Sequence, residues 1–75
     1  MCIQDTAMNL TVEIEQEEDG RWIAEVVDLP GVLVYAQTLE DATTRVQALA
    51  LRVLADRLEH GEGGSAFFNV SFQAA

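Results

Sequence analysis

The chain has no lysine, one cysteine, one proline and one histidine, and its 75 residues carry four arginines against 13 acids. The net charge of −9 and isoelectric point near 4.1 exclude a typical nucleic-acid binder, which needs a basic face to neutralise phosphates. The same balance disfavours docking on an anionic membrane and favours a basic partner or plain solubility. The single cysteine, Cys2, excludes an internal disulfide framework and a zinc knuckle. Small secreted domains usually need such staples, so the expectation is a cytoplasmic protein. Met1–Leu10 shows no basic leader followed by a long apolar run, and no stretch approaches the roughly 20 apolar residues of a membrane span. His60 has no second histidine or cysteine near it in sequence, and no serine stands in a recognisable nucleophile motif. Gly61, Gly63 and Gly64 follow a predicted helix rather than open one, so they make no phosphate loop. No catalytic residue, metal site or cofactor is expected.

What remains is a folded composition, 49% hydrophobic and 23% charged. Residues 1–8 are unpatterned and read as a loose start, with a single domain over 9–75. From Asn9, Leu10, Val12 and Ile14 alternate with Thr11, Glu13 and Glu15, the period of a half-buried strand. Asp19-Gly20 predicts a two-residue hairpin turn. Arg21–Val27 then pairs back, with Trp22, Ala24 and Val26 on one face and Ile23, Glu25 and Val27 on the other. Leu29-Pro30-Gly31-Val32 has the type II turn arrangement, Pro second and Gly third, and Val32–Ala36 forms a third strand. Thr38 caps a helix running to about His60, with Asp41 completing an approximate capping box and Gly61 as the stop. Ala42, Val46, Leu49 and Val53 make its apolar stripe, widened by Leu51, Leu54, Ala55 and Leu58. Ala66, Phe68, Val70 and Phe72 alternate with polar residues in a fourth strand.

The order β-β-β-α-β fixes an α+β topology. Three meander strands are followed by a helical crossover, which brings the fourth strand in parallel to the first. The predicted fold is a four-stranded mixed sheet of order 3-2-1-4 with one helix on one face. A chain this short buries only roughly 60% of its unfolded surface. The sheet face away from the helix keeps Ile23 and Val27 partly bare, and the helix has more leucines than one sheet needs. Ile23, Val27, Leu51, Leu54 and Leu58 are therefore candidate oligomer-interface residues.

Residues 17–42, EEDGRWIAEVVDLPGVLVYAQTLEDA, resemble the N-terminal domain of the HicB-like antitoxin family. The matching features are Asp19-Gly20, Trp22, Ala24, Asp28-Leu29-Pro30-Gly31 and Thr38-Leu39-Glu40-Asp41-Ala42, about a third of the chain. The resemblance implies a partial ribonuclease-H-like fold and homo-oligomers, a dimer or tetramer. It also implies neutralisation of a small basic HicA-like messenger-RNA-cleaving toxin by covering its catalytic histidine. Val27 stands where the family often has proline. Many relatives carry a C-terminal helix-turn-helix or ribbon-helix-helix segment that binds an operator. None stands between the fourth strand and Ala75, so no direct nucleic-acid binding is expected.

The candidate partner-binding residues are Glu17, Glu18, Asp19, Trp22, Glu25 and Asp28, with Glu13 and Glu15 adding to the acidic strand faces. Trp22 has two readings, packing under the helix and anchoring an interface; Tyr35 is similar. Acids would steer a basic, RNA-binding partner into contact. Two other readings stand beside the antitoxin: an orphan oligomeric module of the same fold, and a degenerate nuclease relative with residual metal binding. Ribonuclease H chemistry needs carboxylates from several elements around two metals, and the fourth strand supplies none. His60 reads as a complement to the helix dipole.

Overall fold

The computed structural model describes residues 7–62 and 69–75. The elements are β1 (Ala7–Gln16), β2 (Trp22–Val26), β3 (Leu33–Ala36), α1 (Leu39–Glu59) and β4 (Asn69–Ala74). They form one four-stranded sheet in the order β3-β2-β1-β4. β1 pairs antiparallel with β2, β2 antiparallel with β3, and β1 parallel with β4. This is the expected α+β topology. β1 starts two residues before the predicted boundary. Ala7 and Met8 pair with Asn69 and Val70, and Met8 packs against the core. The predicted start of the fourth strand, Ala66 and Phe68, lies outside the described residues.

Alternation decides what is buried. Leu10, Val12, Ala24, Val26 and Ala36 point to the helix side and are nearly inaccessible. Ala42, Val46, Ala50 and Leu54 meet them from α1. These four are spaced by four residues, so they form one of the inclined i, i+4 ridges by which a helix packs across its neighbour. The sequence stripe named Leu49 and Val53, which flank this ridge half-buried, and missed Ala50, which is wholly buried. Alanines at 42 and 50 have no bulk beyond Cβ, which lets α1 lie close on the sheet. α1 lies mainly over β2 and β3, so Val70 and Phe72 of β4 are only half-buried.

The connections are closed by specific bonds. Gly20 N–H donates to Glu17 O at 2.9 Å and Glu17 N–H to Arg21 O at 2.7 Å. The β1–β2 hairpin therefore has the three-residue loop Glu18-Asp19-Gly20 in place of the predicted two-residue turn. A two-residue turn of the predicted kind needs positive φ at Asp19 as well as Gly20, and only Gly20 has it; Asp19 Oδ1 instead accepts the Arg21 N–H at 3.0 Å. The Leu29–Val32 turn is as predicted, with Val32 N–H donating to Leu29 O at 3.1 Å and Gly31 at φ +88°. Leu29 and Val32 anchor it in the core. Thr38 Oγ1 accepts from Asp41 N–H at 3.0 Å. The reciprocal half of the capping box is not among the hydrogen bonds. The aspartate side chain is one carbon shorter than glutamate, and it pairs instead with Arg45 at 3.1 Å. At the other end Gly61 N–H bonds Leu58 O and Glu62 N–H bonds Arg57 O, a Schellman closure with Gly61 at φ +77°.

Candidate partner-binding surface

Among the described residues, no element covers the sheet face turned away from α1. Register gives its layout row by row. Glu15 lies opposite Ile23, and Ile23 opposite Tyr35. Glu13 lies opposite Glu25, and Glu25 opposite Leu33. On the β4 side, Asn9 meets Ser71 and Thr11 meets Gln73. The face thus has three strips: an apolar one of Ile23, Leu33 and Tyr35, an acidic one of Glu13, Glu15 and Glu25, and a neutral polar one.

The neutral strip satisfies itself. Ser71 Oγ donates to Asn9 Oδ1 at 2.6 Å and Gln73 Nε2 to Thr11 Oγ1 at 3.1 Å. The acidic strip does not. Glu13 and Glu25 are direct cross-strand neighbours of like charge, an arrangement that opposes folding. Among the described residues, the ion pairs are Arg21–Asp19 and Arg45–Asp41, and His60 Nδ1 lies 3.6 Å from Asp56 Oδ1, so none of these contacts involves the three glutamates. In the apolar strip Leu33 and Tyr35 are 40% and 43% exposed, and the Arg21 guanidinium sits 4.7 Å from the Tyr35 ring centroid. That contact braces the tyrosine without covering it.

The hairpin closes one end of this face. Arg21 Nε lies 2.9 Å from Asp19 Oδ2. The Arg21 backbone N–H, with help from its side chain, holds the Asp19 carboxyl below the ordinary aspartate value. The opposite end is tied by Asp28, whose Oδ2 accepts the Thr11 N–H at 2.6 Å. Val27 N–H bonds Thr11 O, so Asp28 supplies the acceptor that continues the β1–β2 ladder through the turn.

The six predicted partner-binding residues do not form one patch. Glu25 lies on the open face, Glu18 and Asp19 lie in the hairpin loop, and Glu17 closes that loop opposite Arg21. Asp28 is committed to Thr11. Trp22 is on the helix side, beside Ala24 and Val26, and packs half-buried against the core. Strand alternation places Trp22 and Glu25 on opposite faces, so they cannot contact one flat partner together. The five oligomer candidates also separate. Ile23 and Val27 belong to the open side, whereas Leu51 and Leu58 are exposed on the helix. Leu54 is 3% exposed and is a core residue, because it continues the Ala42-Val46-Ala50 ridge. Leu33 was missed; its exposure follows from Val32 and Val34 turning inward on either side.

Glu13, Glu15, Ile23 and Glu25 line a dent of about 90 Å³, and a neighbouring hollow of about 350 Å³ takes in Glu13 and Glu15 with Val12, Ile14, Ala74 and Ala75. Among the described residues, no three His, Cys, Asp or Glu side chains gather where they could hold a metal ion, and no polar side chain is buried. His60 stands at the helix end, its Nδ1 2.7 Å from Asp56 O. No described helix is long and apolar enough to cross a membrane. No protein-family model matches the chain, and no curated protein or solved structure matches it either.

Proposed function

We propose that this chain is a non-enzymatic HicB-like antitoxin domain, which neutralises a small basic HicA-like messenger-RNA-cleaving toxin by occluding its active site. The observation that carries the reading is the open face, where an unpaired row of glutamates borders an exposed apolar strip. An RNA-cleaving toxin must offer a basic groove for phosphates. Glu13, Glu15 and Glu25 present carboxylates to such a groove, and Ile23, Leu33 and Tyr35 supply desolvated contact area beside them. Charge sets the encounter rate, and the aromatic and aliphatic contacts set the lifetime. The Asp28-Leu29-Pro30-Gly31 turn supports the reading by fixing one end of that face.

The test is whether a small basic protein is encoded beside this gene and, with that protein, co-expression followed by calorimetry at low and high salt; a gene with no such neighbour would count against the reading. The expected result is a stable complex that restores growth and binds more weakly as salt rises, mainly through a slower association rate. Glu13→Lys combined with Glu25→Lys should weaken binding at least about tenfold. Affinity that is flat with salt and indifferent to both substitutions would overturn the proposal.

A further inference from the structure

The arginines of this acidic chain are gathered in one place. Three of the four, Arg21, Arg45 and Arg52, line the two hollows that flank β3, an outer strand of the sheet. On the helix side of that edge Val34, Ala48 and Leu49 make an apolar floor, with Arg45 and Arg52 on its banks. Both arginines are exposed. Arg45 pairs with Asp41, and among the described residues Arg52 has no ion-pair partner. They stand seven positions apart on α1, nearly two full turns, so they share one helix face about 10.5 Å apart. The strand beneath them is open. Exposed edges are normally blunted with lysine, proline or a bulge, because a bare edge recruits another strand. β3 has no lysine or proline, and its pairing with β2 runs without a break. Val26 N–H donates to Val32 O at 3.0 Å, which sets the phase of that ladder. Inward-bonding residues alternate in an antiparallel pair, so Val32, Val34 and Ala36 bond to β2. The backbone groups of Leu33 and Tyr35 therefore face away from the sheet.

We propose that β3 takes an extended acidic segment of another protein as a fifth strand, with the segment's carboxylates held by Arg45 and Arg52. The outward N–H and C=O groups of Leu33 and Tyr35 supply the main-chain pairing, as in strand addition generally. Alternation then dictates the segment's sequence. Residues directly across from Leu33 and Tyr35 share their face, and these two exposed side chains call for apolar neighbours. The residues before, between and after that pair point to the helix side, over Val34, Ala48 and Leu49. Acids there come within reach of the guanidinium groups, each of which can grip a carboxylate through two N–H donors. Same-face positions on a strand repeat about every 6.8 Å, so the outer two acids, about 13.6 Å apart, bracket the two arginines. The ligand is therefore an acidic–apolar–acidic–apolar–acidic stretch. Charge disfavours the alternatives. A second copy of β3 has no acid to offer and would bring its own Arg45 and Arg52 against this pair. A basic segment is repelled here and drawn to Glu13, Glu15 and Glu25 on the opposite face of the sheet. The arginine groove and the acidic strip are thus separate, and this proposal does not rest on the partner proposed above.

Fluorescence anisotropy on the full chain tests this, with circular dichroism as the check on folding. The probe is a dye-labelled synthetic peptide, Gly-Glu-Val-Glu-Val-Glu-Gly, compared with the same residues reordered as Gly-Glu-Glu-Glu-Val-Val-Gly. The alternating peptide is expected to bind, and the reordered one to bind several-fold more weakly. Arg52→Glu should weaken binding of the alternating peptide at least about tenfold, because it turns attraction into repulsion. Arg52→Gln, which keeps a long polar side chain without the charge, should act in the same direction if the reversal does not fold. Arg57→Glu changes the net charge equally but lies five positions on and about 140° round the helix, so it should leave the affinity within about twofold. Amide exchange at Leu33 and Tyr35 should be fast in the free protein and slow with the peptide bound. An alternating peptide that does not bind, equal binding by the reordered one, or equal losses from Arg52→Glu and Arg57→Glu would each overturn the proposal. So would protection of Leu33 and Tyr35 by a second copy in the absence of peptide.

Discussion

The two faces of this sheet are built from the same strands, one residue apart, yet they do different work. On the helix side Leu10, Val12, Ala24, Val26 and Ala36 are packed away under α1. On the open side Ile23, Leu33 and Tyr35 share space with three glutamates and stay accessible. The contrast teaches that hydrophobicity alone does not tell core from surface here; the helix does, by choosing which side it covers. The same contrast runs along α1, where Leu54 is buried and Leu51, three positions earlier, is 51% exposed. Leu54→Ala should cost about 2–5 kcal/mol, enough to unfold much of a domain this small. Leu51→Ala should cost under about 0.5 kcal/mol in the monomer. Urea unfolding measures both, and equal losses would break the distinction.

Smaller effects are expected where the chain passes between the faces. Gly31 lets the β2–β3 connection turn, and a Cβ there would meet no atom within 4 Å. The cost of Gly31→Ala is therefore conformational alone, about 1 kcal/mol, since φ +88° disfavours any residue with a Cβ. Thr38→Ala removes the single side-chain cap of α1 and should cost about 1 kcal/mol. Should Gly31→Ala prove much more damaging than Thr38→Ala, Leu29 and Val32 depend on the turn more than its local strain indicates.

Much of this architecture is legible in the chain itself, for a physical reason. β1 alternates so regularly that its face assignment follows from Leu10, Val12 and Ile14 alone. The parallel β1–β4 pairing follows from the length of the crossover. Two things are not legible. Ala50 looks like a neutral helix former, and only the i, i+4 ridge reveals it as wholly buried between helix and sheet. Leu54 looks like one leucine among several until the angle of α1 across β2 and β3 is known. The acidic face was visible as a set of residue types, but its partition required register. The opposition of Glu13 to Glu25 is a fact of pairing that no single strand contains, whereas the separation of Trp22 from Glu25 already follows from alternation within one strand.

That opposition makes the open face poor at stabilising its own fold, which gives a prediction of opposite signs. Glu25→Lys turns a like-charge neighbour of Glu13 into an opposite pair and should stabilise the free domain by a few tenths of a kcal/mol. The same substitution should weaken binding to a basic partner. A variant that is more stable and binds less well identifies residue 25 as kept for recognition. Unchanged stability instead would mean that the two carboxylates do not feel one another across the strands.

The smallest effect belongs to the hairpin at the end of that face. Asp19 accepts the Arg21 backbone N–H and pairs with its guanidinium, and these contacts favour the charged carboxylate. Its folded-state affinity for protons is accordingly lower than the ordinary value of 3.8. A depressed carboxylate adds stability above its unfolded value and gives it up as the pH falls through the folded one. The contribution of Asp19 is thus complete at neutral pH and disappears in the acid range below about pH 4. Solvent exposure of both partners keeps it small. Asp19→Asn retains an oxygen for the Arg21 N–H but removes the charge. The variant should be slightly less stable than the wild type at pH 7, and the two stability curves should converge as the solution is acidified. Curves that remain separated by the same amount at pH 2 and pH 7 would show that the loop is held by its backbone bonds alone, with the Asp19–Arg21 ion pair contributing nothing to the fold.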